Sequence, residues 1–418
     1  MGDGQSATST GEGTGRVRLP GSYLLWLVGV LASLGGNTMF YFALGWAASA
    51  HGGAVTGIVL SAVTLPRVLL LLIGGVVSDR VSTRRVLITG DAAMLAFSLL
   101  LALIAYRFGA APAVLIAAGA VVGVANAFYL PASASMPRRL VAKEQLPRAL
   151  SLRQVGGQVV NMAGGPLGGV LVGLAGLVGA TMVNAATFAV VLVILIVTRP
   201  RFEEPAKKSG NNILRDARDG IRLGASDPIL RPSLILTGAA AGFLLPVLPL
   251  LLPLLARGEH WGSGTAGLVV GAQGLGMITI TLGVVRGGPL GRPGLMSACG
   301  LVVAGLGVLL LAVAPALWAA LGASFVIGAG NGLFSAHIVP LVLMVTPDSH
   351  ISRIQSLLTL VQSAAVLVMN YLIGNLAVLG GVTVAFVVCA VAVIGTGLLG
   401  LASSPLRTTR TGMDAAPA

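Results

Sequence analysis

One acidic and three basic side chains crowd the short segment Gly75–Arg85, which lies between two long apolar runs. The acid is Asp79 and the bases are Arg80, Arg84 and Arg85. An acid in such a place can pair with nearby arginines and with the positive end of a neighbouring helix, and these bonds can break and re-form. The segment is therefore predicted to fasten two elements reversibly. The alternative is a loop whose solvated charges only set the orientation of the chain.

Few ionisable residues lie within apolar runs at some distance from the ends, where a charge is costly and usually functional, and Arg67, Asp91 and His337 are the candidates. Arg67 lies near the middle of one run, and it either binds an anionic group or bonds structurally to backbone carbonyls. Asp91 begins the next run, and it either joins the cluster around Asp79, which we favour, or carries a proton. His337 either titrates near neutral pH or is a neutral packing residue, and we favour packing.

The composition decides which class of protein must position these residues. Hydrophobic residues make up 56% of the 418 residues and charged residues 9%, with a mean hydropathy of +0.94. Soluble globular domains do not have this composition, whereas apolar runs of about 20 residues are long enough to span a membrane as helices. The 59 glycines and 21 prolines fit a membrane bundle, because small residues let helices approach closely.

Twelve apolar runs are predicted to cross the membrane, and each is predicted to be helical because backbone groups in lipid must pair within their own segment. They lie near residues 22–48, 54–78, 86–107, 112–135, 150–174, 177–198, 229–256, 263–286, 293–314, 316–346, 352–378 and 381–402.

The formal charge of +13 is distributed by side of the membrane rather than in a patch that would bind nucleic acid. If the N-terminus is cytoplasmic, all 26 lysines and arginines except Arg67, Arg107 and Arg257 fall on the cytoplasmic side. This distribution satisfies the positive-inside rule. It predicts a multi-pass protein of the cytoplasmic (cell) membrane with both termini in the cytoplasm, in contact with the lipid bilayer and without a nucleic-acid partner.

The longest hydrophilic stretch divides the chain in two. The predicted units are a disordered cytoplasmic tail (1–20), a six-helix bundle (21–200), a cytoplasmic linker (201–228), a second six-helix bundle (229–403) and a second tail (404–418). Apolar residues at near-helical spacing predict a surface amphipathic helix over Ile213–Leu223 of the linker. Cys299 and Cys389 lie in separate runs and the four histidines lack metal-ligand spacing, so no disulfide, metal or other cofactor is expected.

The two halves resemble each other. Gly75–Val77 recurs 208 residues later as Gly283–Val285, and Arg84 recurs at the same offset as Arg292. A Gly-x-x-Asn sequence at residues 123–126 recurs after 205 residues. Ordered matches at a nearly constant offset indicate duplication, and two parallel six-helix repeats are the architecture of transporters whose halves rock against each other.

These segments carry a family resemblance. Gly75–Arg85 resembles the signature between the second and third helices of the major facilitator superfamily, Gly-x-x-x-Asp-Arg-x-Gly-x-Arg-Arg, with Ser82 at the second glycine. Gly165–Gly169 resembles the core of the fifth-helix motif of the superfamily's antiporters, without its earlier glycines.

Further segments, Leu65–Arg67, Lys143–Ser151 and Leu214–Gly220, resemble the drug-efflux branch of the superfamily, which includes enterobactin exporters and macrolide efflux pumps. The resemblance covers roughly residues 20–403. It implies an all-α membrane protein with twelve transmembrane helices in two pseudo-symmetric six-helix bundles, the major facilitator fold.

The resemblance also implies roles for two sets of residues. The gating latch, which holds the cytoplasmic side closed, comprises Gly75, Asp79, Arg80, Arg84, Arg85 and Asp91. The antiporter motif on the fifth helix comprises Gly165, Pro166, Gly168 and Gly169 and implies a seam along which the halves rock. Gly157, Gly165, Gly169 and Gly173 recur at fourfold spacing on one helix face, for which static packing of small residues is the alternative.

Relatives in this branch often carry an acid in the middle of the first helix, where this sequence has Asn37 after Gly36. Asparagine carries no proton, so either the coupling has moved, to Asp91 or His337, or the mechanism differs. The candidate cavity residues are polar, and only one is a permanent cation: Asn37, Tyr41, Arg67, Asn126, Tyr129, Gln158, Asn161, Asn331, His337, Gln362 and Asn370. For their amides, interhelical hydrogen bonds and substrate contacts are both open. This lining favours a neutral or anionic amphiphile over a polycation.

Together these features predict a secondary active transporter rather than an enzyme, because no nucleophile–base set or metal-ligand spacing is present. The expected task is export of a small amphipathic compound, such as an antibiotic, a siderophore or a metabolite, by alternating access in a monomer. Coupling to protons is expected, as in multidrug-resistance antiporters. A facilitator-type importer or uniporter and a non-transporting sensor of the same fold are the alternatives.

Overall fold

The computed structural model describes residues 19–80, 83–198, 202, 221–288, 291–314, 316–347 and 350–409. The side chains of residues 71–80 and of Ser352 are outside this description. The predicted tail over residues 1–20 and the predicted linker helix Ile213–Leu223 lie almost wholly outside the described residues, and both stay predictions.

The described residues form helices joined by short turns. The first four helices are α1 (Gly21–Ser49), α2 (Gly53–Arg80), α3 (Thr83–Phe108) and α4 (Pro112–Leu140). A 3₁₀ turn, Lys143–Gln145, then leads into a long helical stretch, Leu146–Val197, which contains two spans.

Gly176 breaks that stretch into two spans. Its backbone angles are φ 60° and ψ −158°, a conformation that glycine adopts without the steric cost of a Cβ atom. The break separates α5 (residues 146–175) from α6 (residues 177–197). Two spans were predicted here, and the structure joins them by a single glycine rather than a loop.

The second half begins with an irregular span, α7 (Leu230–Gly258). It consists of an α-helix, two π-helical turns and a second α-helix: Leu230–Ala239, Ala240–Leu244, Val247–Leu251 and Leu252–Gly258. Pro246, Pro249 and Pro253 lie within or beside the turns and donate no backbone hydrogen bond, which accounts for the loss of regular α-helical pairing. The predicted extent of this span, 229–256, agrees to within about two residues with the observed one. The prediction of a helix did not include the two π-helical turns.

The remaining spans are regular. They are α8 (Ser263–Gly287), α9 (Pro293–Ala312), α10 (Leu317–Val345), α11 (Ile351–Leu379) and α12 (Val382–Ala402), and the short helix α13 (Ser404–Thr408) follows. Within the part of the chain that the structure describes, eleven apolar helical stretches are long enough to cross a membrane, and one of them, Lys143–Val197, contains both α5 and α6. The twelve predicted spans are therefore present.

The buried core is divided between the first six and the last six spans. One cluster of buried residues lies wholly within residues 236–406, and two others lie within residues 23–195. Between the two sets of spans, α2 contacts α11, α5 contacts α8, and α1 contacts α7. The predicted boundaries of the units, 21–200 and 229–403, stay a prediction.

Many large apolar side chains lie on the outside of the bundle, for example Leu99, Leu100 and Leu103 of α3. Such a surface suits lipid rather than water. We call the end of the bundle that holds Arg84, Arg148 and Arg286 the basic end, and the opposite end, which holds Ser49 and Arg257, the far end.

Candidate functional site

The motif glycines of α5 pack directly against α8 of the other half. A Cβ atom on Gly169 would lie 2.5 Å from the carbonyl oxygen of Ser263 and 2.9 Å from the Cα of Gly267. The Ser263 hydroxyl donates a hydrogen bond of 2.9 Å to the Gly169 carbonyl. Gly165 is similarly close to Val270. Two backbones meet here because neither side carries a side chain at the crossing.

The other motif residues divide between two neighbours. Pro166 contacts Gly271 of α8, whereas Gly168 faces α1, where a Cβ would lie 3.1 Å from the Cβ of Phe42. Gly157 lies against Leu34 of α1, so it is not part of the predicted face toward the other half. The signal that could have excluded Gly157 is its distance, two turns, from the rest of the motif.

The helices α2 and α11 form the second contact between the halves. At the far end a Cβ on Gly53 would lie 2.5 Å from the carbonyl oxygen of Gly374, and Gly57 packs against the backbone of Asn370. Further along α2, the Ser61 hydroxyl donates to the Leu367 carbonyl at 3.1 Å.

The α2–α11 contact loosens toward the basic end. Arg67 Nη2 reaches the hydroxyl of Ser363 at only 3.5 Å. Along α5 and α8 the same change occurs, because Gly274 still meets Met162 but a Cβ on Gly283 would have no heavy atom within 4 Å. Among the described residues, the contacts between the halves are therefore close at the far end and end before the basic end.

A cavity of about 250 Å³ begins where the halves separate. It is bounded by α2, α4, α7 and α11, so both halves contribute to it. Its polar lining residues are Arg67, Gln362, Ser363 and Thr359, and its apolar ones are Val68, Leu130, Leu245, Leu360 and Val366. No acid is among these lining residues, so the cavity presents one cation, neutral hydrogen-bonding groups and a mainly apolar wall.

Two of the predicted cavity residues, Arg67 and Gln362, line this cavity. Asn126 instead donates a hydrogen bond of 2.6 Å to the Tyr41 hydroxyl, which is an interhelical bond that satisfies the half-buried amide. Asn370 is buried at the α2–α11 crossing.

The other predicted cavity residues are spread along the bundle. His337 is buried and its Nδ1 lies 2.9 Å from the carbonyl of Leu333 in its own helix, which favours the packing role. Asn161 is exposed on α5. Asn37, Gln158 and Asn331 are half-buried on their respective helices and do not line the cavity.

The far end carries a contact that the sequence analysis missed. Arg257 of α7 donates to the Ser49 hydroxyl at 2.7 Å and to the Trp46 carbonyl at 2.8 Å. Its guanidinium also lies over the Trp46 ring, 4.7 Å from the ring centre. Ser49 and Trp46 belong to α1, so this contact joins the two halves. In the sequence Arg257 is one of few basic residues on its side of the membrane, and this rarity could have marked it as a candidate functional residue.

At the basic end, Arg84 binds its own half. Its Nε donates to the Leu195 carbonyl at 3.2 Å and its Nη2 to the Ile196 carbonyl at 2.8 Å. These carbonyls are at the end of α6, where backbone acceptors lack helical donors. Arg85 is exposed. The side chains of the other predicted latch residues on α2, Gly75, Asp79 and Arg80, lie outside the described part of the chain.

Asp91 of α3 is fully buried. Within the described chain neither carboxylate oxygen has a partner in full hydrogen-bond geometry, and the Tyr129 hydroxyl of α4 is a donor that interacts with the carboxylate. Arg153 of α5 interacts with Tyr129 in turn. A buried acid with incomplete hydrogen bonding is an expensive feature that a purely structural role does not explain.

Arg153 anchors this group of side chains and was not selected from the sequence. It donates to the Ser133 carbonyl and to the Ser133 hydroxyl, both at 3.2 Å. Its guanidinium lies over the Trp26 ring at 5.6 Å from the ring centre. Tyr23, beside Trp26, donates its hydroxyl to the Ala149 carbonyl at 2.5 Å. The group ties α1, α3, α4 and α5 together inside the first half.

Two six-helix sets that meet at glycine-rich crossings around a central cavity define a multi-pass membrane transporter. The family model of the Major Facilitator Superfamily matches residues 25–292, more than half of the chain. The chain therefore belongs to the major facilitator superfamily. A search of curated proteins finds no match to the sequence.

Solved structures of transporters share the fold at low sequence identity. A mutant of the nucleoside transporter NupG is 13% identical, with a TM-score of 0.73 over 92% of this chain and 100% of that one. A mutant of the peptide transporter POT in complex with sulfate is 14% identical, with a TM-score of 0.70 over 92% and 96%. A bacterial homologue of the human lysosomal transporter Spinster, inward-facing and unoccupied, is 12% identical, with a TM-score of 0.71 over 93% and 97%.

Proposed function

We propose that this protein exports a small amphipathic compound across the cell membrane by alternating access, driven by inward proton flow. The proposal rests on where along the bundle the two halves touch each other. The halves are joined at the far end by glycine crossings and by Arg257, and they separate toward the basic end around a cavity that both of them line.

The basic end is assigned to the cytoplasm, with both termini on that side. All lysines and arginines except Arg67, Arg107 and Arg257 support this orientation under the positive-inside rule. The structure is then an inward-open state, in which the cavity loads from the cytoplasm. In that state Arg84 of α3, a residue of the predicted latch, binds the end of α6 in its own half.

The cavity lining indicates the chemistry of the substrate. Its apolar wall suits a hydrophobic body, while Arg67, Gln362 and Ser363 provide donors for a carboxylate, a phosphate or a neutral oxygen. The long distance of 3.5 Å between Arg67 and Ser363 leaves the guanidinium available to a ligand. A neutral or anionic amphiphile is therefore favoured, and a polycation is disfavoured by Arg67.

Export is supported by two resemblances, that of Gly165–Gly169 to the antiporter motif and that of the chain to the drug-efflux branch. Closing the basic end requires α5 and α8 to rock about their glycine crossing, where the backbones of Gly169 and Gly267 lie in direct contact. The same movement must break the bonds of Arg257 to Ser49 and Trp46 to open the far end. Breaking a few hydrogen bonds costs about 1 kcal/mol each, so this gate can open reversibly.

Asp91 is proposed as the proton carrier, since Asn37 occupies the position at which relatives have an acid. Its burial and its incomplete hydrogen bonding support this role, because uptake of a proton neutralises a carboxylate that its surroundings stabilise poorly as an anion. Tyr129 interacts with the Asp91 carboxylate, and Arg153 interacts with Tyr129 in turn.

The test is a counterflow screen in proteoliposomes that hold purified protein, with and without a pH gradient. Anionic and neutral amphiphiles should exchange across the membrane, and an inwardly directed proton gradient should accelerate export. A compound that binds without moving would identify a sensor instead. Exchange that ignores the pH gradient would identify a uniporter, and preferred exchange of a polycation would contradict the proposed substrate class.

A further inference from the structure

A second cavity, of about 590 Å³, lies between α3 and α4 on the flank of the first half. We call it the lateral groove. Its lining comprises Val86, Thr89, Gly90, Ala93 and Met94 of α3 with Ala120, Val121, Val124, Ala125, Phe128 and Tyr129 of α4. The groove shares no lining residue with the cavity between the halves. Its volume lies within the range of about 300–1,000 Å³ that is usual for small-molecule sites.

The groove exists because small residues face each other across the two helices. Gly90 and Ala93 on α3, and Ala120 and Ala125 on α4, leave the space between the helices unfilled. Val121 and Val124 are each 40% exposed, so the groove is open to the outside of the bundle. Since α3 and α4 cross the membrane, that outside is the hydrocarbon of the bilayer.

The basic end of the groove is strongly cationic. Arg84 and Arg85 open α3, and Arg138 and Arg139 are in the last turn of α4. Arg84 is engaged with the end of α6, whereas Arg85 is exposed.

Arg85 is placed to continue the groove toward the membrane surface. Arg85, Thr89 and Ala93 follow each other at intervals of four residues, which puts them on one face of α3. The Thr89 hydroxyl donates to the Arg85 carbonyl at 2.8 Å. Because its hydrogen bond is made within its own helix, the hydroxyl adds little polarity to the groove. Along this face, a cation near the membrane surface leads into an apolar trough within the bilayer.

From these observations we infer that the lateral groove is a binding site for one anionic phospholipid. An acyl chain lies in the groove against Ala93 and Val124, and the phosphate binds Arg85 at the membrane surface. Apolar lining and terminal positive charge match the two chemical parts of such a lipid, and a guanidinium suits a phosphate geometrically. The inference does not depend on which compound the protein transports.

The site is tested by native mass spectrometry of the purified full-length protein, titrated with phosphatidylglycerol and, separately, with phosphatidylcholine. The wild type should retain one phosphatidylglycerol more tightly than phosphatidylcholine. Arg85→Gln should lower the affinity for phosphatidylglycerol by about fivefold, which is equivalent to about 1 kcal/mol for one surface arginine. Arg107→Gln, which removes an exposed arginine at the other end of α3, should leave the affinity unchanged.

The acyl-chain part of the site is tested by filling the groove. Ala93→Phe should weaken phosphatidylglycerol, whereas Ala92→Phe, on the exposed neighbouring residue outside the groove, should not. Val124→Phe repeats the test from α4 should Ala93→Phe fail to fold, as judged by size-exclusion chromatography. Equal affinity for both lipids, equal effects of the two arginine variants, or full lipid affinity in both groove-filled variants would each overturn the inference.

Discussion

Arg257 of α7 lies over the ring of Trp46 of α1 at 4.7 Å and also donates to the Trp46 carbonyl at 2.8 Å. The two residues are 211 positions apart in the sequence and belong to opposite halves of the transporter. One side chain thus joins the halves at the far end by a cation–π contact and by hydrogen bonds at once.

Arg257→Ala should favour opening of the far end. The two lost hydrogen bonds and the ring contact together contribute about 2 kcal/mol at this exposed position, which corresponds to about a thirtyfold shift in population. Accessibility of a cysteine introduced at Ala377, which is buried against Gly53 of the other half, to a membrane-impermeant reagent should rise by that factor. Arg107→Ala, at another exposed arginine near the same end, is the control, and a rise of the same size there would contradict the gate.

Gly169→Ala should impair transport by obstructing the α5–α8 crossing. The added methyl would lie 2.5 Å from the Ser263 carbonyl oxygen, so the far end cannot close as in the structure. Overpacking of this kind costs about 1–3 kcal/mol. The measurements are counterflow rate and thermal stability in detergent.

Gly283→Ala is the matched control for the seam, because a Cβ there meets no heavy atom within 4 Å. An alanine in place of an exposed helical glycine should stabilise the helix by about 0.5–1 kcal/mol. Equal loss of transport in both variants would show that helix propensity, rather than the crossing, governs the effect.

Arg67→Gln should weaken an anionic substrate by about tenfold to a hundredfold, because a charge-assisted hydrogen bond contributes about 1.5–3 kcal/mol. A neutral analogue of the same compound should lose much less. Equilibrium binding to protein in detergent separates this effect from the transport step. Ser61→Ala, which removes a bond to Leu367 outside the cavity, should leave substrate affinity intact.

Asp91→Asn should abolish the coupling of transport to protons while substrate exchange across the membrane continues. The amide has the same shape but carries no proton, so counterflow should continue while stimulation by a pH gradient disappears. The amide oxygen can accept from the Tyr129 hydroxyl as the carboxylate does, and burying a neutral amide costs less than burying a charge, so the variant should be at least as thermally stable as the wild type. A strong loss of stability would indicate a structural acid and remove Asp91 from the coupling mechanism.

Asp79→Asn should reduce transport strongly while membrane insertion and folding stay intact. The physical reason is that the amide cannot form the charge-assisted bonds that hold the basic end closed. Flux and surface expression are measured on the same preparation. Normal flux through correctly folded protein would mean that Gly75–Arg85 only orients the chain.

The sequence predicted the helices well because hydrophobic length is a local property. The predicted run 293–314 corresponds to Pro293–Ala312, and the predicted break between 174 and 177 falls at Gly176. It did not predict the π-helical turns of α7, because the effect of Pro246 and Pro249 depends on how neighbouring helices accommodate the unpaired backbone groups.

The candidate cavity was predicted only in part, since the face of a helix that meets the other half depends on packing. Arg67 and Gln362 were selected because they are polar in apolar runs, and they line the cavity. Asn126 was selected for the same reason and binds Tyr41 instead. Ser363 was missed because a serine in an apolar helix usually bonds to its own backbone and gives no signal.

By itself the sequence determined the class of protein, its twelve spans and the charge asymmetry between its two ends, because length, hydropathy and charge are read along one chain. Only the tertiary structure decided that Gly169 meets Ser263 and Gly267, that Arg257 fastens the far end to Trp46, and that Asp91 is buried beside Tyr129. Each of these is a contact between distant segments, and its energy exists only once the helices have packed.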